Sequence, residues 1–533
     1  MRIAFLSWES LHSINIGGVG AHVTELAAAL AQKGHEVHVF TRRAPGQRGH
    51  DLVENVHYHR CTYVAHHDFV DDINNMCRAF VDRVFEVEDF IGHFDIVHAH
   101  DWLTANAMIW IKQGRGHKCL LTIHSTEYAR CGNAFCSGRS QRIRDQEQAG
   151  TYWADRVITV SGATKKEIMQ IYGVPDRKIS VIYNGVIPQL FDLTTDPCVD
   201  KRQYNIVPLD PTVLFCGRLT WQKGPDLLIE AIPSILRFNA NTKFIFVGDG
   251  DMRGSLESRA RQLGIANAIR FLGYRNGKEL IHLFKLSEVV CVPSRNEPFG
   301  IVVIEAWSAD KPVVVTQIGG PAEYVEHEIN GLKIYPNPDS VSWGVRTMFS
   351  DFDRARWMGH NGRKAVEEQF TWDIIVKQTL TVYHKICPEP VLPVQVGKHS
   401  TSIMPKKFSK ATVRDDLLEQ ESMMVFTEIG QQDSSAIEVQ AKISFNARAL
   451  IGGTRSLLAA CTYSLSQSGL NPQQHGSTLT IRGNWETILA ALKLCNLHMD
   501  RIGGGKPQSC DKMVAISESV LTSELVLSSQ LGN

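Results

Sequence analysis

The sequence predicts an α/β protein made of two facing doubly wound lobes, followed by a small α+β module. Three observations predict it. Strand-like and helix-like stretches alternate from the first residues to about Gly185, and a second series of the same kind runs from about Thr212 to Thr316. A polar, proline-marked stretch from Phe191 to Asp210 separates the two series. Past residue 388 a polar linker leads into an unrelated strand and helix pattern. The expected division is a first lobe over 1–190, a second over 191–388, a linker over 389–430 and the module over 431–533.

Each element follows from local pattern. "RIAFLSW" reads as a strand, "NIGGVG" as a glycine loop, and "AHVTELAAALAQKG" as a helix, because Val23, Leu26, Ala27 and Leu30 recur at helical spacing and Gly34 supplies the left-handed stop. The strand "HEVHVFT" completes the first strand–helix–strand unit. "FDIVHAH", "CLLTIH", "RVITVS" and "ISVIYN" continue the series, separated by amphipathic stretches. In the second series the strands are "TVLFCG", "KFIFVGDG", "IRFLG", "VVCVPS" and "PVVVT", with helices between them and "WDIIVKQTLTVYHKI" at the end. In the module, "AIEVQAKISFN" and "STLTIRG" read as strands, and "GGTRSLLAACTYSLSQSG" and "NWETILAALKLCNLHMD" as helices.

Composition narrows the function. The chain of 533 residues has 56 Lys plus Arg and 56 Asp plus Glu, so no overall field draws it to nucleic acid or anionic lipid, and any anion site must be local. The opening "MRIAFLSW" lacks the basic flank and apolar core of a signal peptide, and no apolar run reaches about 18 residues. No transmembrane segment and a cytoplasmic location are therefore expected. The twelve cysteines lack paired CxxC spacing and read as reduced thiols; Cys131 and Cys136 in "CGNAFC" read as loop thiols rather than a metal site or disulfide.

In open parallel sheets ligands bind beyond the carboxyl ends of the strands, so two facing lobes place a cleft between them. Arg218 and Lys223 of "GRLTWQKG" project from a loop directly after a strand. An anion between them would meet a bidentate fork and a point charge, each worth roughly 4 kcal/mol at about 4 Å and an effective dielectric near 20, before desolvation. A diphosphate fits; solvated surface charge is the plainer alternative. Gly17, Gly18 and Gly20 open a helix, where a phosphate or sugar could approach the backbone, or where a turn simply needs them.

Glu297 and Glu305, in "SRNEPFGIVVIEAWS", stand eight positions apart around an apolar run. If that run is a helix after the strand "VVCVPS", Glu297 lies in the crossing loop and Glu305 about two turns later. One carboxylate then suits reacting sugar chemistry and the other a vicinal hydroxyl pair such as a ribose, whereas a dipole-favoured helix-start acid and a surface ion pair are the structural alternative.

Taken together these blocks resemble a known group. "EPFGIVVIEAWSADKPVVVTQIGGPAEYV" carries the E-x7-E pattern of retaining nucleotide-sugar glycosyltransferases of the family 4 type, which have the GT-B fold; "GGVGAHVTELAAALAQKGHEVHVFTR", "VHAHDW", "TIHSTEY", "ADRVITVS", "VIYNGV" and "GRLTWQKG" follow in the family's order. The resemblance covers residues 1–388. It implies a first lobe on the acceptor side and a second on the donor side. It further implies that Arg218 and Lys223 bind the donor diphosphate, that Glu305 binds the ribose, and that the backbone of Phe299, Gly300 and Ile301 meets the phosphate or the transferred sugar. Gly17 and Gly18 would close over the donor. Glu297 would sit near the transferred sugar and His124 would be the active-site histidine. His100 and Asp101 of "HAHDW" are read as cleft-wall residues only.

The resemblance also implies front-face transfer with no cofactor and no metal, the donor being a nucleotide-diphosphate sugar. "SWES", "HAHDW" and "TIHSTEY" lean toward glycogen-synthase-like members, which would make the sugar glucosyl and the acceptor a carbohydrate or other hydroxyl. Against that, the lysine those synthases carry two residues before the paired glycines is Asn15 here. A rival reading is a non-catalytic GT-B protein that binds nucleotide sugar as a regulator or scaffold. A dinucleotide-dependent oxidoreductase would need a glycine fingerprint that neither lobe has. The C-terminal module is open to an effector, a glucan or a second subunit in a homo-oligomer.

Overall fold

The computed structural model describes residues 1–194 and 196–388, and four strands between residues 424 and 484. The first lobe is an eight-stranded sheet of β1 (Arg2–Leu6), β2 (Glu36–Arg42), β3 (His50–Val53), β4 (Val56–Cys61), β5 (Ile96–His100), β6 (Cys119–Ile123), β7 (Arg156–Thr159) and β8 (Ile179–Val181). Its order is β3-β4-β2-β1-β5-β6-β7-β8, parallel except where β3 runs antiparallel to β4. The central strands are buried along their whole length, as a sheet covered on both faces requires.

The second lobe is a six-stranded, wholly parallel sheet of β9 (Thr212–Cys216), β10 (Lys243–Val247), β11 (Ile269–Gly273), β12 (Val289–Val292), β13 (Val313–Thr316) and β14 (Gly331–Ile334), in the order β11-β10-β9-β12-β13-β14. In each sheet the winding reverses once beside the first strand, between β1 and β5 and between β9 and β12. A crevice opens at the carboxyl ends of the strands at such a reversal.

Eleven strands expected from the sequence are present in the lobes; β3, β4 and β14 were not foreseen. "VHYHRC" hides β4 because its polar residues are buried among themselves: His59 Nε2 lies 2.9 Å from His38 Nδ1, and Arg60 donates through Nε to His12 O at 2.9 Å. The closing helix, Trp372–Ile386, departs from the expected division at residue 190. Its Trp372, Ile375, Val376 and Tyr383 pack in one core with Ile3, Phe5, Val23 and Leu26, and Tyr383 Oη bonds His98 Nδ1 at 2.8 Å. The chain thus returns to the first lobe, because an apolar helical face is buried where a matching surface is open.

In the C-terminal region the strands Met424–Glu428 (β15), Glu438–Ser444 (β16), Gln473–His475 (β17) and Thr478–Asn484 (β18) form an antiparallel sheet in the order β15-β16-β18-β17. The two expected strands are β16 and β18, and β15 lies within the stretch expected as linker. The two expected helices of this region lie outside the described residues. No described helix is long and apolar enough to cross a membrane.

Candidate active site in the cleft between the lobes

The reversal between β9 and β12 brings two loops together. After β9 the chain runs through Gly217 to Gly224; after β12 it runs through Ser294 to Gly300. Across the gap Lys223 Nζ donates to both oxygens of Glu297, at 2.7 and 2.8 Å, and Ser294 Oγ donates to Glu297 Oε2 at 2.8 Å. Glu297 is 4% exposed. Both oxygens are engaged, which fixes the side chain in place. Arg218, in the same loop as Lys223, is exposed and makes no ion pair among the described residues.

The backbone under Glu297 is held by a pair of glycines. Gly320 N donates to Glu297 O at 2.8 Å, and a Cβ on Gly319, whose φ is +71°, would stand 2.1 Å from that same oxygen. Ser294 is fixed in turn by Thr316 Oγ1, which donates to its carbonyl at 2.6 Å.

The expected helix is Ile301–Ser308. Gly300 starts it in the left-handed region, at φ +88°, and no side chain caps it. Phe299 is buried, and Tyr324 Oη donates to Phe299 O at 2.6 Å. The first-turn N–H groups therefore form the positive end of a helix at the cleft, where an anion is stabilised. The first lobe comes close at this point: a Cβ on Gly18 would stand 2.9 Å from Ile301 Cδ1.

Glu305 lies one turn into the helix. Burial pushes its carboxyl up to about 7, and Glu25 of the Gly18–Gln32 helix adds to the shift. Burial likewise raises Glu25 to about 7, opposed by Trp372 Nε1, which donates to it at 2.6 Å. Glu305 is half-buried and acts on the Cys216 thiol at the end of β9, which places it near the reversal point. Both acids hold protons more tightly folded than unfolded, so their stabilising contribution is complete below about 4.5 and lost as pH rises through 7. Relative to the wild type, Glu305→Gln should gain about 2–4 °C in Tm between pH 5 and pH 8, measured by melting both chains across that range.

In the first lobe the glycine loop is organised by a residue that local sequence pattern does not mark. Glu9, 3% exposed, accepts from Ile16 N at 2.7 Å, Gly17 N at 2.9 Å and Gly20 N at 3.0 Å. Its carboxylate takes N–H groups that a phosphate would otherwise use, which leaves Gly17 and Gly18 to offer close approach. Only the fold brings Glu9 under the loop. Asn15 Nδ2 reaches across the cleft to Tyr274 Oη at 3.2 Å.

His124 follows β6. Its Nε2 lies 3.2 Å from His100 Nδ1, and its ring meets that of His22 edge-on with centroids 4.6 Å apart. Burial holds His124 down at about 3, so the imidazole is neutral. Ring nitrogens of His22, His100 and His124 all lie within 4.8 Å of one another, a set that could hold a divalent cation. Asp101, read from sequence only as cleft wall, holds the backbone after β6 in place. Its carboxylate accepts from His124 N at 2.7 Å, and its own backbone takes the left-handed φ of +57° rare for a non-glycine residue. Burial raises it to about 6, against the pull of Arg130 and of the His124 and Ser125 N–H groups.

The lobes meet around this cleft through several polar contacts. Glu323 accepts from Gly162 N at 2.9 Å, and Asn296 Nδ2 donates to Asn133 Oδ1 at 2.8 Å. The structure thus gathers Arg218, Lys223, Glu297, Phe299, Gly300, Ile301 and Glu305 at one lobe's reversal point. Gly18 faces Ile301 from the other lobe, Gly17 lies next to it against Glu9, and His124 follows β6.

Comparison with known proteins agrees with this architecture. The family described as "Glycosyl transferases group 1" matches residues 199–365, and "Glycosyltransferase Family 4" matches residues 16–190. An uncharacterised glycosyltransferase of Methanocaldococcus jannaschii is 38% identical over 401 residues, 72% of this chain and 98% of the relative. The glycogen synthase of Mycobacterium tuberculosis is 29% identical over 415 residues, 74% of this chain and 98% of the relative. The crystal structure of Anabaena HepE in complex with UDP-glucose superposes with a TM-score of 0.59 at 20% identity, over 72% of this chain and all of that one. With its two Rossmann-like lobes in the GT-B arrangement, the chain belongs to the group 1, family 4 type of glycosyltransferases.

Proposed function

We propose that the protein transfers a hexosyl group, glucosyl in the first instance, from a nucleotide-diphosphate sugar to an acceptor hydroxyl, with retention at the anomeric carbon and without a metal. The observation that carries this reading is the Lys223–Glu297 pair beside the uncapped start of the Ile301–Ser308 helix, facing Gly18 across the cleft. Two similar proteins support the glucosyl choice: the M. tuberculosis relative is a glycogen synthase, and HepE holds UDP-glucose. An α-glucan is accordingly the first acceptor to try.

The donor diphosphate lies between Arg218, Lys223 and the first-turn N–H groups of the helix, so developing charge meets two cations and a dipole already in place. The bond from the anomeric carbon to phosphate oxygen breaks, a bond from the acceptor oxygen forms on the same face, and the acceptor proton passes to the departing phosphate. Glu297, fixed by Lys223 and Ser294, acts near the sugar by its charge and position. Neutral His124 hydrogen-bonds the sugar or the developing charge. Glu305, with a carboxyl near 7, can both donate to and accept from ribose hydroxyls.

The test is release of nucleoside diphosphate from a panel of nucleotide sugars, with and without a glucan acceptor. Turnover of one glucosyl donor, with its KM raised about 10–100-fold by Arg218→Ala, is the expected result. Tight binding of a donor with no release under any condition would replace the enzyme reading with a binding role.

A further inference from the structure

A cavity of about 570 Å³ opens at the end of the second lobe away from the cleft. Its walls include Glu288 and Pro312, which directly precede β12 and β13, so it lies at the amino ends of strands whose carboxyl ends carry the candidate active site. Lys311, Lys285, Arg356 and His360 line it with Glu288, Asp310 and an apolar wall of Ala309, Pro312, Phe352 and Ala355.

The charges in it are unevenly matched. Lys201 Nζ, 2% exposed, donates to Glu288 Oε1 at 2.8 Å, Thr212 N donates to Glu288 Oε2 at 2.6 Å, Asp310 Oδ1 lies 3.6 Å from His360 Nδ1, and Arg356 pairs with Asp353 at 2.7 Å, so each carboxylate keeps only part of its accepting capacity. Lys285 Nζ donates only to a carbonyl, Phe191 O at 2.9 Å. The Lys311 ammonium has no ion pair or hydrogen bond among the described residues. Burial lowers it to about 8, with Lys285 and Lys201 adding to the shift against Glu288 and Asp310.

The backbone that presents Lys311 is rigid. Asp310 is left-handed at φ +59°, Asp310 N donates to Trp307 O and Lys311 N to Ala306 O, both at 2.9 Å. This closes the helix that begins at Ile301 in a Schellman-type turn. Gly359 lets the turn pack closely, since a Cβ there would stand 2.4 Å from Asp310 O. A side chain on so fixed a turn, partly desolvated and unpaired in a cavity, is costly unless something anionic completes it.

We propose that this cavity binds a small phosphorylated polyol, its phosphate on Lys311 and Lys285, its hydroxyls on Glu288 and Asp310. The size suits such a molecule. The proposal does not depend on the reaction assigned to the cleft.

The experiment is limiting acetylation of the full chain with an amine-reactive ester at pH 7.5, read by mass spectrometry at each lysine. It is run alone, with glucose 6-phosphate, with inorganic phosphate, and with UDP, which controls for binding in the cleft. Lys311 should be modified several-fold faster than exposed Lys364, slowed at least tenfold by millimolar glucose 6-phosphate and unmoved by UDP. Calorimetry with UDP saturating should then show glucose 6-phosphate binding weakened at least tenfold by Lys311→Gln. Modification of Lys311 that neither phosphate slows, or that UDP slows equally, would overturn the site. Equal protection by inorganic phosphate would remove the polyol from the proposal.

Discussion

Glu297→Gln should lower kcat about 10²–10³-fold while leaving the circular dichroism spectrum unchanged. The substitution keeps the shape of the side chain and removes the charge that receives two bonds from Lys223 and one from Ser294. Lys223 is then left without its partner, and the electrostatic balance around the diphosphate changes where transition-state charge develops. Loss should fall on kcat more than on donor KM if, as proposed, the carboxylate acts on the transferred sugar and not on the nucleotide. The pair works as a unit, so Lys223→Ala combined with Glu297→Gln should lose much less than the product of the two single losses. Steady-state kinetics on the four chains decides this, and an unchanged kcat for Glu297→Gln would remove Glu297 from the machinery.

Gly319→Ala should be among the most damaging single-methyl changes near the site. Alanine at φ +71° costs about 1–2 kcal/mol by itself. Here the added Cβ also meets Glu297 O at 2.1 Å, far inside van der Waals contact, so the loop must move and the Gly320 N bond to the same carbonyl is broken with it. A total loss of at least about 3 kcal/mol follows, together with displacement of Glu297 and a drop in transfer comparable to Glu297→Gln. Gly264 supplies the control. It has the same φ of +71° with open space around it, so Gly264→Ala should cost only the backbone part, about 1–2 kcal/mol, and leave activity unchanged. Denaturant unfolding of both variants isolates the close approach from the backbone strain. Equal losses at the two positions would show that the Gly319–Glu297 contact carries no weight.

Local pattern was enough to read eleven strands of the two lobes, the break between the two series, and the loops that hold Arg218, Lys223, Glu297 and Glu305. Those readings rest on apolar periodicity and on the position of a loop after a strand, which neighbouring residues determine. The same locality explains the misses. The histidine-rich β4 looks polar because its partners, His38 and His12, lie 21 and 48 residues from His59 and Arg60. The final helix looks like part of the second lobe until its apolar face is matched to β1 and the Gly18–Gln32 helix.

Tertiary structure alone decided the chemistry's arrangement. The pairing of β12 with β9 places Lys223 on Glu297 across 74 residues of chain. The fold likewise sets Glu9 under the glycine loop, Glu25 beside Glu305, and Lys311 in a cavity at the opposite end of the same helix. Sequence periodicity fixes which face of an element is apolar, but strand order and side-chain pairing depend on contacts between distant segments, and their free energy exists only once the sheets have assembled.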